Sequence, residues 1–357
     1  MPAYKDKNGT WYVWFRYNDW TGVNKAKCKR GFKTRRDAVE WERKFLLESR
    51  EDPDLTFGDF VLLYEKDVRP RLKLSTWLSK DHLIRTKLLP YFEHKKLRDI
   101  STKDVMRWHN ELLSYRDARG KPYSQTYLKT VHNQLSALLN HAVKHYNLKF
   151  NPASRVGSIG QKEAGEMQFW VKEEYLKFAE AIMDKPLAYY AFEMLYWCGL
   201  RVGELLALTA KDVDLEKGTV TVNKTYQRIG KQDVVTTPKT RKSNRTIKMP
   251  GFLRDEMRDL ITMIYDLHPD DRIFIVTRSF LMHEMARGSK AAGVKKIRIH
   301  DLRHSHVSLL IDMGFSAVAI ANRVGHESID ITYRYAHMFP SIQGEMADKL
   351  DEARKVG

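Results

Sequence analysis

Cysteine is almost missing from this chain: among 357 residues only Cys28 and Cys198 occur, far apart and without a metal-like spacing. That excludes a disulfide-stapled secreted scaffold and leaves a reduced, cytoplasmic protein as the economical expectation. Long hydrophobic runs are absent too, and none approaches the roughly 20 apolar residues of a membrane-spanning helix. The opening stretch, MPAYKDKNGT, lacks the apolar segment of a secretory signal. There is no low-complexity tract, no internal repeat and no Asp/Glu cluster of the kind that holds two metal ions. The composition, 43% hydrophobic and 30% charged, is that of a globular protein too long for one typical core.

Negative charge is in short supply. The formal net charge is +17, which points to a polyanionic partner, nucleic acid first of all. The excess is uneven: residues 1–50 hold 13 Lys/Arg against 6 Asp/Glu, and residues 54–160 hold 19 against 10. Residues 161–357, with 30 against 27, are nearly balanced. The first half is therefore suited to holding phosphates, and the second to something more local.

Periodicity divides the chain into three. In WYVWFRY, residues 11–17, Trp11, Val13, Phe15 and Tyr17 share one strand face. In KAKCKR, residues 25–30, Lys25, Lys27 and Lys29 share a face and Ala26 and Cys28 the opposite one. Thr34 then caps a helix to about Ser49 with Ala38, Trp41 and Phe45 inward. The expectation is a small sheet plus helix over 1–50, basic on its outer surface. The lysine row either contacts DNA or guards a strand edge against aggregation. A polar link, SREDPDLTF, leads to a helical region over 54–156, with helices near 57–64, 75–89, 105–113 and 124–146. Its six histidines show no ligand spacing and are expected at the surface or in a DNA groove. After a Gly/Ser-containing linker, residues 166–357 alternate helices with short strands at 219–223, 232–236 and 245–249, and a buried strand IFIV at 273–276. The fold class expected is multidomain α+β.

Four stretches of the last region carry chemistry. CGLRVGELLAL places Arg201 at a helix start, TPKTRKSNRTI places Lys239 before a short strand, and HDLRHSH places His300 and Arg303 one helical turn apart. RVGHESIDITYRYAH holds His326 and, nine residues later, Tyr335. The ordered set Gly-Leu-Arg-x-Gly-Glu, Lys, His-x-x-Arg, Gly-His and Tyr resembles the tyrosine recombinase, or phage integrase, family. Each element alone is weak, and the set at these spacings is highly specific. The two basic regions before it resemble the arm-binding and core-binding domains of integrases from temperate phages and integrative elements.

The resemblance implies a site-specific recombinase that cleaves double-stranded DNA attachment sites through a 3′-phosphotyrosyl link, without metal, cofactor or ATP, and assembles as a homotetramer at synapsis. It places the chain in the cytoplasm of a bacterial or phage-infected cell. An excisionase and a host DNA-bending protein are partners that such an enzyme can require. The residue types suit the chemistry. Attack on a phosphodiester builds negative charge, and the guanidinium forks of Arg201 and Arg303 match the non-bridging oxygens. His300 can accept the tyrosine proton or donate to phosphate, His326 can add a hydrogen bond, and Lys239 can protonate the leaving oxygen. Lys242 and Arg245 are expected to contact phosphate. Tyr333 is the rival nucleophile, two residues from the family position. The near alternatives are a type IB topoisomerase, with similar chemistry as a monomer, and a regulator that has lost catalysis. The second would lack a motif residue, and none is missing. In the tail, Met346, Leu350 and Ala353 make a stripe that either docks on a neighbouring subunit or folds onto its own domain.

Overall fold

The computed structural model describes residues 3–18, 24–48, 55–161, 167–230, 232–238, 241–326 and 354. The chain forms two compact units, Met1–Ala164 and Gly165–Gly357.

The first unit opens with an antiparallel sheet of β1 (Tyr4–Lys5), β2 (Trp11–Asn18) and β3 (Asn24–Phe32), in that order. Strand alternation turns Val13 and Phe15 towards helix α1 (Arg35–Glu48), where they join Ala38, Trp41 and Phe45 in a small core. Thr34 starts the helix, its hydroxyl accepting the Asp37 amide at 3.1 Å.

The pairing register overturns the expected outward lysine face. Lys25, Lys27 and Lys29 stand opposite Tyr17, Phe15 and Val13, so they lie on the side of the sheet that carries α1. Lys27 Nζ is 5.4 Å from the centre of the Phe45 ring. The row is nevertheless exposed, because β3 is an edge strand. The helix-free face holds Tyr12, Trp14 and Arg16 beside Ala26, Cys28 and Arg30. Alternation alone separates two faces and cannot say which of them a later helix will cover.

The helical region has its own core. Its helices are α2 (Phe57–Val68), α3 (Leu74–Leu83), α4 (Leu89–Phe92), α5 (Thr102–Ser114), α6 (Gln125–His145) and α7 (Pro152–Val156). Between α3 and α4 the backbone makes a π-turn, Ile84–Leu88, just before Pro90, whose missing N–H interrupts the helical ladder. Ser101 and Asp104 form a capping box at the head of α5, and Leu135, Leu138 and Leu139 of α6 close over Phe60, Phe92 and Trp108. Two of the six histidines are not surface groups. His109 and His132 are each 4% exposed, and their Nε2 and Nδ1 lie 3.0 Å apart. One ring donates and the other accepts, so a neutral pair satisfies itself in the core; burial first, then His132, pushes His109 down to about 4.

The second unit packs α8 (Lys172–Glu180), α9 (Pro186–Trp197) and α10 (Val202–Leu205) with β4 (Val213–Asp214), β5 (Thr219–Val222), β6 (Thr225–Ile229), β7 (Gln232–Thr236) and β8 (Arg245–Lys248). Helices α11 (Gly251–Met263), α12 (Arg278–Ala291), α13 (Asp301–Asp312) and α14 (Ala317–Val324) follow. The strands form an antiparallel sheet β4-β5-β8 and a separate hairpin β6-β7. Residues 273–276 make no strand: Ile273 and Phe274 are buried, Ile275 is 69% exposed, and only an isolated bridge joins Arg272 to Thr209. Four apolar residues fill a core as well in a loop as in a ladder. Strand β8 pairs with β5, and β6 pairs with β7.

Candidate active site

Three elements of the second unit deliver four of the six proposed catalytic side chains to one place. Arg201 is the residue before α10, and Glu204, three further on, accepts its backbone N–H at 3.0 Å and its Nη1 at 2.7 Å. His300 and Arg303 lie at the head of α13. Helix α14 ends at Gly325, whose φ of +68° gives the left-handed cap that a side chain would resist, and His326 follows. The amide of His326 turns back to the Ala321 carbonyl at 2.9 Å, closing the turn.

Arginines hold this turn. Arg303 is 2% exposed and donates from Nη1 to the Gly199 carbonyl at 2.7 Å and from Nη2 to the Val324 carbonyl. Arg201 Nη2 reaches the Gly325 carbonyl at 3.4 Å, and Arg245 Nε the Arg323 carbonyl at 3.0 Å. The last carbonyls of a helix are its negative pole, so cations are at home there. Gly199 is needed for close packing: a Cβ on it would stand 2.5 Å from the His306 ring. His306 is buried and accepts from Arg323 Nε at 3.2 Å, while Arg323 also donates to the Trp197 carbonyl at 3.1 Å. These bonds tie α14 to α13 and α9.

The electrostatics follow from the packing. Burial, then Arg303 and Arg201, lowers His326 to about 3, and the same causes in the same order lower His300, whose outer edge is exposed. Both imidazoles are therefore neutral at pH 7, able to donate from one nitrogen and accept at the other. Burial raises Glu204, but Arg245 and Arg201 outweigh it and hold the carboxylate below its ordinary value. The pocket so formed is cationic, with forked donors in fixed directions, as a tetrahedral or pentacoordinate phosphate requires.

Lys239 and Tyr335, with Tyr333 and the tail stripe, lie outside the described residues. Lys242 is exposed at the edge of the site. Arg245, expected at phosphate, is engaged within the protein. Its side chain is 6% exposed and donates to both Glu204 oxygens, at 2.9 and 3.2 Å. One sequence signal points that way. In strand β8 Arg245 alternates in step with buried Ile247, and it pairs with buried Val222. In sequence, Glu204 is visible only as a partner for Arg201; its bridge to a second arginine 41 residues on needs the fold.

A sequence model described as the phage integrase family matches residues 169–341, one for the phage integrase N-terminal SAM-like domain matches 56–113, and one for an arm DNA-binding domain matches 2–49. The chain belongs to the phage integrase, or tyrosine recombinase, family. Among its relatives, the ICEBs1 integrase of Bacillus subtilis is 27% identical over 374 residues, covering 99% of this chain and all of that one. The integrase of Staphylococcus phage L54a is 27% identical across 72% of this chain and 80% of its own. The fold is similar to that of the Tn1549 transposon integrase in complex with circular intermediate DNA, with a TM-score of 0.65 and 19% identity over 84% of this chain and 99% of that one. It is similar also to a lambda integrase tetramer bound to a Holliday junction, at TM-score 0.57 and 18% identity over 92% of this chain and 96% of that one. Among the described residues, no helix of this integrase-family chain is long and apolar enough to cross a membrane.

Proposed function

We propose that this chain is a site-specific DNA recombinase that integrates or excises a mobile element or prophage by a phosphotyrosyl route. The observation that carries the reading is the turn Arg323–His326, on which Arg201, Arg303 and His326 converge. In this reading Arg201 and Arg303 clamp the non-bridging oxygens of the cut phosphate. Tyr335 attacks phosphorus, and its proton passes to His300, which is neutral and so able to accept it. His326 donates to a phosphate oxygen, and Lys239 protonates the departing 5′ oxygen. The bond energy is kept in the tyrosyl ester, so rejoining needs no ATP. Residues 1–50 would hold distal arm sites, with Lys25, Lys27 and Lys29 as phosphate contacts along the sheet edge. Residues 54–156 and 166–357 would each bind core-site DNA, with Lys242 at the backbone. Four copies would meet at synapsis, with an excisionase and a DNA-bending protein as further partners.

The test is the adduct. Incubating the purified chain with the DNA that encodes and flanks its element, and mapping covalent phosphotyrosyl ends, gives the cut sites. Tyr335→Phe should bind those sites like the parent and form no adduct, whereas Tyr333→Phe should still cleave. Adduct lost with Tyr333→Phe and kept with Tyr335→Phe overturns the nucleophile assignment.

A further inference from the structure

Three consecutive carbonyls, those of Arg323, Val324 and Gly325, accept hydrogen bonds from three different arginines, Arg245, Arg303 and Arg201 respectively. Two of these arginines are in the proposed phosphate clamp. The third, Arg245, comes from β8 and has another engagement: its guanidinium grips both oxygens of Glu204, the same carboxylate that holds Arg201. The Glu204 side chain is 4% exposed and that of Arg201 37% exposed, so the inner arginine locks the carboxylate and the outer one faces the opening. Gly325 rests on Arg245: a Cβ there would lie 3.0 Å from Arg245 Cδ and 3.0 Å from the Lys242 carbonyl.

We infer that Arg245 is a positioning residue for strand cleavage, fixing Glu204 so that Arg201 is aimed, and not cancelled, and pinning the turn that presents His326. This rests on the recombinase reading above. Glu204 carries the electrostatic half of the role. Left to Arg201 alone, a buried carboxylate would wrap that guanidinium and offset its charge towards an incoming phosphate. With Arg245 bound to both oxygens, one negative charge is shared between two cations, and a net positive charge remains at the mouth. The turn carries the geometric half. Arg201 and Arg245 both span from Glu204 to the end of α14, but Arg201 meets its carbonyl at 3.4 Å and is partly exposed. Arg245, buried and at 3.0 Å from its carbonyl, is the firmer tie and sets the distance between the Arg201 and His326 anchors. Misplacement of a reacting group by about 1 Å can cost a factor of about 100 in rate.

The experiment uses the full chain and the duplex mapped by its own adduct, in two forms. One has the natural phosphate at the cut site, and the other a methylphosphonate, which removes one non-bridging charge. Arg245→Gln should slow single-turnover adduct formation on natural DNA about 100-fold at saturating duplex and leave the salt dependence of binding unchanged. On the methylphosphonate its defect should shrink, as that of Arg201→Ala shrinks, because a neutral phosphorus centre needs less cationic help. Arg245→Lys should recover most of the rate, within about tenfold of the parent. Without DNA, amide exchange at His326 should quicken at least tenfold in Arg245→Gln. Exchange unchanged from the parent overturns the inference whatever the activity. So does a salt slope reduced by about 0.9 with the saturating rate intact, which would make Arg245 a phosphate contact. An equal defect on both substrates would make it merely structural. A parent chain that forms no adduct on any duplex would refute the recombinase reading instead, and the exchange measurement would still decide the role of Arg245 in the turn.

Discussion

The lysines of β3 and the arginines at the end of α14 carry the same charge, and the fold holds them in opposite ways. Lys25, Lys27 and Lys29 stand on an exposed edge strand, with long side chains over or beside the α1 side of the sheet. Arg303 and the Arg245 side chain are almost wholly buried, with guanidinium nitrogens held by carbonyls and, for Arg245, by a carboxylate. Ammoniums on an exposed edge can follow a phosphate chain of any sequence, and salt competes with them. Fixed guanidiniums are prepared for one oxygen geometry, and their ordering cost is met when the protein folds. Charge count alone does not distinguish the two.

The largest effect expected from this contrast is at Arg303. Arg303→Ala should lower single-turnover adduct formation by roughly 10³-fold or more, since a preorganised donor is removed from the developing charge. Arg303→Lys keeps the charge and loses the fork, so it should recover little. A lysine variant within about tenfold of the parent would mean that charge suffices, and the contrast would break.

A smaller effect, of a different kind, is expected at the sheet. Replacing Lys25, Lys27 and Lys29 together by Gln should flatten the plot of log affinity against log salt by up to about 2.7, near 0.9 for each phosphate no longer neutralised. The saturating cleavage rate should stay within about twofold, since the row acts on binding alone. An unchanged slope would make the row a guard of the strand edge.

The smallest concerns a fixed ion pair with no part in the site. Burial raises Asp104, but Lys95 and the Ser101 amide and hydroxyl outweigh it and bring the carboxyl down to about 2. Its folded pKa is depressed, so its contribution is present above about pH 4 and fades as pH falls towards 2. Lys95 is 37% exposed and solvent-screened, so Asp104→Asn should cost roughly 1 kcal/mol at about pH 6 and little at about pH 2.5. Exchange of the first amides of α5 at the two pH values reads it. An equal loss at both would mean that the cap, and not the charge, carries the effect.

The helices and most strands were legible in sequence because their apolar periods are local. The cap at Thr34, the stripe of α6 and the alternation of β2 all act within a few residues. The misses share a cause. The lysine face, the buried histidine pair and the loop at 273–276 all depend on what packs against them from elsewhere in the chain. His109 and His132, 23 residues apart, have no local mark that tells a self-satisfying pair from two surface groups.

By itself the sequence determined the family chemistry, because ordered motifs of Arg, Lys, His-x-x-Arg, Gly-His and Tyr record residue types that phosphoryl transfer demands. It also determined where charge is concentrated. Only the tertiary structure decided which cations are buried and paired and which face the opening. An arginine in a strand and an arginine before a helix look alike in a string of letters. Their environments separate when one carboxylate, Glu204, is buried between them, because a buried charge must be paired and the pairing fixes which guanidinium is left facing the opening.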